Sequence, residues 1–341
     1  MNGSGENFCH AASLGLSHTI IIQTVVFLTN TLNIIGSIAA ILQNSIIIWT
    51  VRKHLELHQP SFVLLACLAF ADLLSGSTSQ PSWVAYRLAE YYQMWRVACC
   101  SYTIFKLSNL WHYVSFLTLT IITIDRFLAL HYHLRYMEMV TIPRVLVAYG
   151  MIWITSIALL VPTFTNDYAL TAIVLLTASF LCFIIILMCY YQIYKITRRH
   201  HRQIRNQDST HSMAHHKSRM IKIKKSSTTY LLVTMVLFVS VFPVIAYFVS
   251  YIVIGYKGFV VWFLDVSVAL WLLTTAINPM VYFWRMTELR RAVKMEMKRS
   301  LRRNNNIIDP GNHRSSRQSS HQSKTRKETW NDKSTQKNHP S

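Results

Sequence analysis

Polar side chains stand inside long apolar stretches of the sequence, where a membrane or a protein core would surround them. Asp72 interrupts the run LAFADLL, while Ser115 and Asn278 fall within two other apolar stretches. An ionisable group in such a setting is costly and is therefore a candidate functional residue. A carboxylate near hydroxyl and amide oxygens could hold a small cation such as Na⁺. Alternatively, Asp72 could simply hydrogen-bond Asn44 and Asn278 and so join helices.

A second set of polar residues lies at the ends of such stretches. Asp125 and Arg126 are adjacent, so the arginine could pair with its neighbour in one state and with another group in a second state, as a bistable switch requires. A solvated charge pair at a helix end is the plainer interpretation. Pro279 follows Asn278 and removes a backbone donor from its helix, although many membrane helices contain proline for packing alone.

The apolar stretches contain no His/Glu spacing typical of a metal centre. Histidine is concentrated in a polar region of the chain, where His211 and His215 are four residues apart. That spacing could bind a metal adventitiously, but a solvated loop is the simpler interpretation. We therefore expect no enzyme activity, and no cofactor other than an allosteric Na⁺.

The elements that must position these residues are seven apolar segments. Each has the length of about 20 residues that a helix needs to cross the hydrocarbon core. The segments cover residues 19–50, 61–86, 100–131, 143–163, 169–194, 229–254 and 260–284. They predict an all-α membrane protein with a bundle of seven transmembrane helices.

The composition agrees with this fold class. Hydrophobic residues make up 52% of the 341 residues and charged residues only 14%, yet the formal net charge is +20. A soluble enzyme would carry about 25% charged residues. A basic, disordered or nucleic-acid-binding chain would be poorer in apolar residues, so no nucleic-acid partner is expected.

Lysine and arginine predict the orientation. Of the 34 such residues, 29 follow segments one, three, five and seven. Basic loops stay in the cytoplasm, so we expect the N-terminus outside and the C-terminus inside the plasma membrane. Asn2 begins a glycosylation sequon on the outer side. The first eighteen residues lack a basic region and an apolar run, and no cleavable signal peptide is predicted.

Four regions follow from this pattern. Residues 1–18 are the predicted extracellular N-terminus, and residues 19–284 are the transmembrane domain. Within 285–299, apolar residues recur at helical spacing with Arg and Lys on the other face, which predicts an interfacial amphipathic eighth helix. Residues 300–341 are basic and poor in apolar residues, and are predicted to be a disordered cytoplasmic tail.

The order of these motifs resembles that of rhodopsin-like (class A) G-protein-coupled receptors over about residues 20–299. The residues that carry the resemblance are Asn44, Asp72, Asp125-Arg126-Phe127, Trp153, Pro243 and Asn278-Pro279-Val281-Tyr282. The run DRFLALHYHLRY, residues 125–136, is similar to a loop of melanocortin and adenosine receptors. The short, cysteine-free second outer loop is similar to that of melanocortin, cannabinoid and lysophospholipid receptors.

The resemblance implies a receptor that couples an extracellular ligand to a heterotrimeric G protein. Arg126, beside Asp125, would meet the G protein, and Tyr190 and Tyr282 would stabilise it in the active state.

By the same resemblance, Asp72, Ser115 and Asn278 would form a sodium pocket. The basic stretches 195–225 and 285–303 would face anionic lipid and the G protein. Serines in the tail could be phosphorylated, which suggests arrestin as a further partner.

Several positions depart from the family pattern, among them Gln43 in place of glycine and Phe127 in place of tyrosine, and two further departures bear on function. Val241 stands where segment six usually carries a large aromatic residue, which puts the usual activation trigger in doubt. The family's disulfide joins segment three to the second outer loop, which contains no cysteine here. Cys9 could pair with Cys99 or with Cys100, or all three could be free.

The ligand is expected to be a lipid or another small apolar molecule. Ser108 occupies the place of the aspartate that anchors amines in the family, and the acidic cluster of melanocortin receptors is absent. The outer halves of the helices are rich in aromatic residues, which suit an apolar ligand but also form interfacial belts. Ser108, His112 and Trp271 are predicted to face the bundle axis and contact the ligand.

The main alternative is a seven-span transporter or channel with Asp72 as the ion-coupling site. It would not account for Asp125-Arg126 together with Asn278-Pro279 and Tyr282.

Overall fold

The computed structural model describes residues 20–54, 57–132, 135–165, 168–205, 235–236, 239–253 and 258–308, and the regular structure in these ranges is helical. In chain order, the helices are α1 Ile20–Lys53, α2 Pro60–Leu74, α3 Gln80–Tyr91, α4 Trp95–His131, α5 Tyr136–Met139, α6 Ile142–Leu160, α7 Tyr168–Arg205, α8 Val239–Val253, α9 Gly258–Arg285 and α10 Thr287–Ile308.

Within the described ranges, six helical stretches are long and apolar enough to cross a membrane. They are Ile22–Lys53, Pro60–Tyr91, Trp95–His131, Ile142–Phe164, Ala169–Ile196 and Trp262–Trp284. Helix α8 is a shorter apolar helix inside the predicted sixth segment, which extends into residues outside the described ranges. Each predicted segment therefore contains an apolar helix, as the predicted fold class requires.

Two helices run beyond the segments that predicted them. Helix α7 continues to Arg205 because residues 195–205 contain neither glycine nor proline and are rich in Lys, Arg and Gln. Helix α10 continues to Ile308, the last described residue. The region predicted to be disordered from Ser300 thus begins with helical residues.

Helix α1 has one face toward the bundle and one face open to lipid. Val26, Asn33, Ala40 and Ile47 recur every seven residues and are completely buried. Leu28, Leu42 and two further apolar residues at the same spacing are more than half exposed. Seven residues are nearly two helical turns, so each set forms a stripe along one side. An apolar outer stripe is expected where the surrounding solvent is hydrocarbon.

A π-helical turn, Ser75–Ser79, joins α2 to α3 within one continuous span. Its sequence SGSTS is built of small residues, which let α1 approach closely. A Cβ atom on Gly76 would lie 2.9 Å from Cβ of Ala40, and Ser37 Oγ donates to the Gly76 carbonyl at 2.7 Å. Such turns change the rotational register of a helix and often occur at functional sites.

The described residues divide into two compact units between Arg290 and Arg291. In the first unit, α4 packs against α2, α3, α6 and α7, while α1 packs against α2, α3 and α9. In the second unit, α10 buries Ala292 and Val293 and exposes Arg291 and Lys294. The helix is therefore amphipathic.

Candidate functional site

The structure brings the predicted residues Asp72, Ser115 and Asn278 together in the bundle interior. Ser115 Oγ donates to Asp72 Oδ1 at 2.8 Å, and Asn278 Nδ2 donates to Asp72 Oδ2 at 3.0 Å. All three side chains are buried, and they come from α2, α4 and α9. One carboxylate thus joins three helices.

Oxygen atoms at this cluster fit a small hard cation. The Asp72 carboxylate supplies a negative charge, and Ser115 supplies a hydroxyl oxygen. Asn278 Oδ1 is buried and has no hydrogen-bond partner among the residues that the structure describes. Carboxylate, hydroxyl and amide oxygens are the ligands that hard cations prefer.

Asn44 contacts a neighbouring part of α9 rather than Asp72. Its Nδ2 donates to the Thr275 carbonyl at 3.1 Å and to the Ala40 carbonyl at 2.9 Å. Thr275 lies four residues before Pro279, which has no N–H, so the Thr275 carbonyl lacks its ordinary helical donor. Asn44 supplies the missing donor and so links α1 to α9.

Asp125 and Arg126 form a buried pair, not a solvated one. Arg126 Nε lies 3.6 Å from Asp125 Oδ2, and both side chains are at least nine-tenths buried. Tyr136 on α5 donates its hydroxyl to Asp125 Oδ1 at 2.7 Å. Burial, and then the neighbouring Asp125 carboxylate, raise the pKa of Tyr136, so its hydroxyl stays protonated at neutral pH and remains a donor.

The two predicted tyrosine partners of Arg126 lie in different settings. Tyr190 of α7 is half-buried and packs with Leu130 and Ile193 in an apolar cluster between α4 and α7. Tyr282 of α9 is almost completely buried. The roles assigned to both residues stay predictions.

An aromatic cavity of about 130 Å³ opens between α3, α4, α7, α8 and α9. Its walls include Trp83, Phe105, Tyr247, Phe248, Val268 and Trp271. Phe105 and Arg126 are separated along α4 by about 30 Å of helix. The aromatic cavity is therefore near the end of the bundle opposite the Asp125–Arg126 pair.

Trp271 also lines a smaller inner cavity of about 30 Å³, together with His112, Ser115 and Val241. The His112 and Trp271 rings lie 4.3 Å apart, and His112 Nε2 is 3.1 Å from Ser75 Oγ in the π-helical turn. Two of the predicted ligand contacts, His112 and Trp271, thus face cavities.

Ser108, the third predicted ligand contact, lines neither of the two cavities. Its hydroxyl donates to the Phe105 carbonyl at 2.7 Å, and its own carbonyl accepts from Ser79 Oγ at 3.3 Å. The structure therefore places Ser108 against the π-helical turn.

The remaining family positions have packing roles. Trp153 of α6 packs near Ala71 and Val114, with its ring 5.7 Å from that of Trp111. Pro243 lies within α8 and is half-buried, while Pro279 is buried within α9.

A buried ionic cluster was not predicted as a site. Arg87 of α3 donates to Glu90 and, at 2.6 Å, to Asp265 of α9, and all three are buried. The sequence offers a signal, because Arg87 and Glu90 are three residues apart and share one helix face. Nothing in the sequence indicates that Asp265 would join them.

Cysteine pairing is now partly decided. Cys99 is disulfide-bonded, while Cys100 is free. Cys9, Asn2 and the N-terminus before Ile20 lie outside the described residues, as do His211, His215 and the tail from residue 309.

Comparison with known proteins agrees with this architecture. The sequence model of the family "7 transmembrane receptor (rhodopsin family)" matches residues 43–168. The chain is similar in structure to the crystal structure of squid rhodopsin, with a TM-score of 0.70 and 16% sequence identity over 82% of this chain and 87% of that chain. The structural similarity concerns the fold.

The family match and the shared fold support one class of protein, the rhodopsin-like G-protein-coupled receptors. The apolar helices indicate a multi-pass membrane protein, and the family match over residues 43–168 supports signalling as a receptor. The transporter or channel alternative is not favoured.

Proposed function

We propose that this receptor detects a small, predominantly apolar ligand, a lipid or a molecule of similar character, in the aromatic cavity. The observation that carries the proposal is the cavity wall, in which aromatic and aliphatic side chains of several helices converge. Ligand pockets are typically apolar with a few polar groups that fix orientation. Among the residues predicted from the sequence, Trp271 is the contact that this cavity favours.

A chain of contacts leads from the cavity toward the Asp72 cluster. The Trp271 ring contacts the ring of His112 at a tilted angle. His112 lies one turn before Ser115 on α4, and Ser115 donates to Asp72. Asp72 accepts from Asn278, which precedes Pro279 in α9. Suppose that the helix bundle has two arrangements and that the ligand displaces Trp271 in only one of them. The ligand would then shift the populations of the two arrangements by the difference between its affinities for them.

We propose that the receptor lies in the plasma membrane with its N-terminus outside. Asp125, Arg126, Tyr190 and Tyr282 would then face the G protein on the cytoplasmic side. The distribution of Lys and Arg supports this orientation. The basic stretches 195–225 and 285–303 would meet anionic lipid and the G protein, and a phosphorylated tail would recruit arrestin.

We also propose that the nearest relatives belong to the melanocortin, lysophospholipid, cannabinoid and adenosine receptor cluster. The DRFLALHYHLRY run supports this placement. The short connection between Phe164 and Tyr168 supports it as well.

Na⁺ is proposed as an allosteric ligand at Asp72. The support is the convergence of Asp72, Ser115 and Asn278 Oδ1, which accepts no hydrogen bond from any residue in the described ranges. A bound Na⁺ would neutralise the buried carboxylate and hold α2, α4 and α9 in one arrangement.

The ligand class is tested by second-messenger assays for cAMP and Ca²⁺ in cells that express the receptor. Panels of lipids, nucleosides and peptides are compared on the wild type, on Trp271→Ala and on Trp49→Ala, whose indole is on the exposed face of α1. We expect lipids to activate the wild type and Trp49→Ala, and Trp271→Ala to need at least about tenfold more ligand. Activation by peptides or nucleosides alone would overturn the proposal.

A further inference from the structure

Two asparagines on α1 lie in the bundle interior without the hydrogen bonds that buried amides need. Asn30 and Asn33 are three residues apart on one helix face and are 3% and 0% exposed. Their four side-chain nitrogen and oxygen atoms have no hydrogen-bond partner among the residues that the structure describes. Such atoms are costly in a protein interior, and more so at a depth where hydrocarbon surrounds the helices. The two amides therefore mark a place where a further group binds.

Contacts between α1 and α3 fix which residues lie opposite these amides. The Phe27 and Tyr91 rings are 5.4 Å apart, and a Cβ atom on Gly36 would lie 3.4 Å from Gln80 Oε1. The two helices are therefore antiparallel here, and each rises 1.5 Å per residue. Between these two contacts, the first of the two asparagines lies level with Arg87 to within about one turn.

Helix α9 meets α3 at the same level. Gln80 Nε2 donates to the Leu272 carbonyl at 2.8 Å, and seven residues further along α3 Arg87 donates to Asp265 Oδ2 at 2.6 Å. Asp265 in turn lies seven residues before Leu272, so the two contacts share one register. Because α1 packs on both α3 and α9, its buried amides lie at the level of the Arg87–Asp265 ion pair.

The ion pair also has hydrogen-bonding capacity to spare. Asp265 Oδ1 and Arg87 Nε are buried, and neither has a hydrogen-bond partner in the described ranges. Together with the two amides, they make three nitrogens that donate and three oxygens that accept. A bound anion would satisfy the donors alone, and a bound cation would satisfy the acceptors alone. Water does both, and a buried water typically makes about three hydrogen bonds.

The space between the helices limits the occupant to a small molecule. One turn beyond Asn33, a Cβ atom on Gly36 would lie only 2.6 Å from Leu273 Cδ2, so α1 and α9 are in close contact there. A single water needs about 10–15 Å³ of space for its centre, which is far less than an organic ligand needs. Both the size and the hydrogen-bonding pattern therefore favour water.

We propose that ordered water occupies this site and bridges the Asn30 and Asn33 amides to the Arg87–Asp265 ion pair. The bridge joins α1, which contributes only neutral groups, to the charged groups of α3 and α9. The hydrated site shares no residue with the Asp72 cluster, and it does not depend on the proposed function.

A structure of the full-length receptor in nanodiscs, determined by electron cryomicroscopy at a resolution that shows ordered water, tests the site directly. We expect isolated density about 2.7–3.2 Å from an amide of Asn30 or Asn33 and, directly or through a second water, from Asp265 Oδ1 or Arg87 Nε. A side chain in that place, or direct contact between the helices without water, would overturn the inference.

Thermal unfolding tests the site in solution. Serine and alanine differ by one hydroxyl, which can bind water in a hydrated site and gains nothing in a dry one. Asn30→Ser should therefore unfold about 1–2 °C above Asn30→Ala. The same two substitutions at Thr31, an exposed residue that donates to its own helix, correct for helix propensity. A serine-to-alanine difference at Asn30 no larger than that at Thr31 would contradict a hydrated site.

A double-mutant cycle tests the link between α1 and the ion pair. Asn30→Leu and Asp265→Asn each remove a group that the bridge requires, so the loss of thermal stability in the double variant should be smaller than the sum of the single losses. Asn30→Leu combined with Glu138→Gln, an exposed carboxylate elsewhere, should be additive and serves as the control. Additive losses for Asn30→Leu and Asp265→Asn, or a gain of stability in Asn30→Leu alone, would refute the bridge.

Discussion

A proline and an asparagine on different helices complement each other. Pro279 cannot donate to the Thr275 carbonyl, and Asn44 supplies a donor at 3.1 Å instead. Both positions are recognisable in the sequence, but their relation is not, because it depends on the rotation of α1 against α9.

This pairing predicts the stability of Asn44→Ala. Loss of the amide leaves a buried carbonyl unsatisfied, which should lower the free energy of unfolding by about 1–3 kcal/mol. Thermal unfolding of the purified receptor measures the effect, with Ser45→Ala on the exposed neighbouring position as the control. In Asn44→Ala/Pro279→Ala the helix regains its own donor, so the double variant should lose less than the sum of the two single variants. Strict additivity would contradict this account.

The charged residues in the helices divide into those that the sequence revealed and those that it did not. Asp72 was predicted as a candidate site because an ionisable group in an apolar run is costly, although the sequence left hydrogen bonding between helices as an alternative. Asp265 gave no such signal, because it is near the end of its segment, where charged residues are common at membrane interfaces. Its burial and its partner Arg87 follow from tertiary packing.

Among the elements, the π-helical turn is the feature that propensity could not predict. The SGSTS run contains weak helix formers, and a helix, a kink or a break were all compatible with it. Close packing against α1 accounts for the small residues. The apolar segments were predictable because a helix that crosses hydrocarbon must be apolar over its whole length. The ends of the helices were less predictable from the segments, as α7 and α10 show.

Gly76→Ala tests the packing of this turn. The added Cβ would lie 2.9 Å from Ala40 Cβ, so α1 or the turn must move, and the free energy of unfolding should fall by about 1–3 kcal/mol. Gly150→Ala is the matched control, because nothing lies within 4 Å of its added Cβ on α6. That variant should be more stable by about 0.4–1 kcal/mol. Equal effects at the two glycines would show that α1 does not pack tightly on the turn.

For the whole molecule, the Asp72 cluster couples helices that are distant in sequence. If Na⁺ binds there, thermal unfolding of the wild type should occur at a higher temperature in NaCl than in choline chloride at equal ionic strength. For a receptor of this size, each kcal/mol of stabilisation corresponds to roughly 2–4 °C or less.

The variants for this experiment are Asp72→Asn and Glu138→Gln, which alters an exposed carboxylate outside the cluster. The Na⁺ effect should disappear in Asp72→Asn and persist in Glu138→Gln. A Na⁺ effect of the same size in Asp72→Asn would show that the ion acts elsewhere.

We propose that this molecule activates a G protein through the buried Asp125–Arg126 pair. The measurement that tests this is GDP-for-GTP exchange on purified heterotrimeric G proteins of each class, with the receptor in nanodiscs and the lipid panel present. The wild type should accelerate exchange on at least one class, and Arg126→Ala should reduce the rate to that of empty nanodiscs. Thermal unfolding of Arg126→Ala should show that the variant is folded. Equal acceleration by Arg126→Ala, or no acceleration by the wild type on any class, would show that the pair does not activate a G protein.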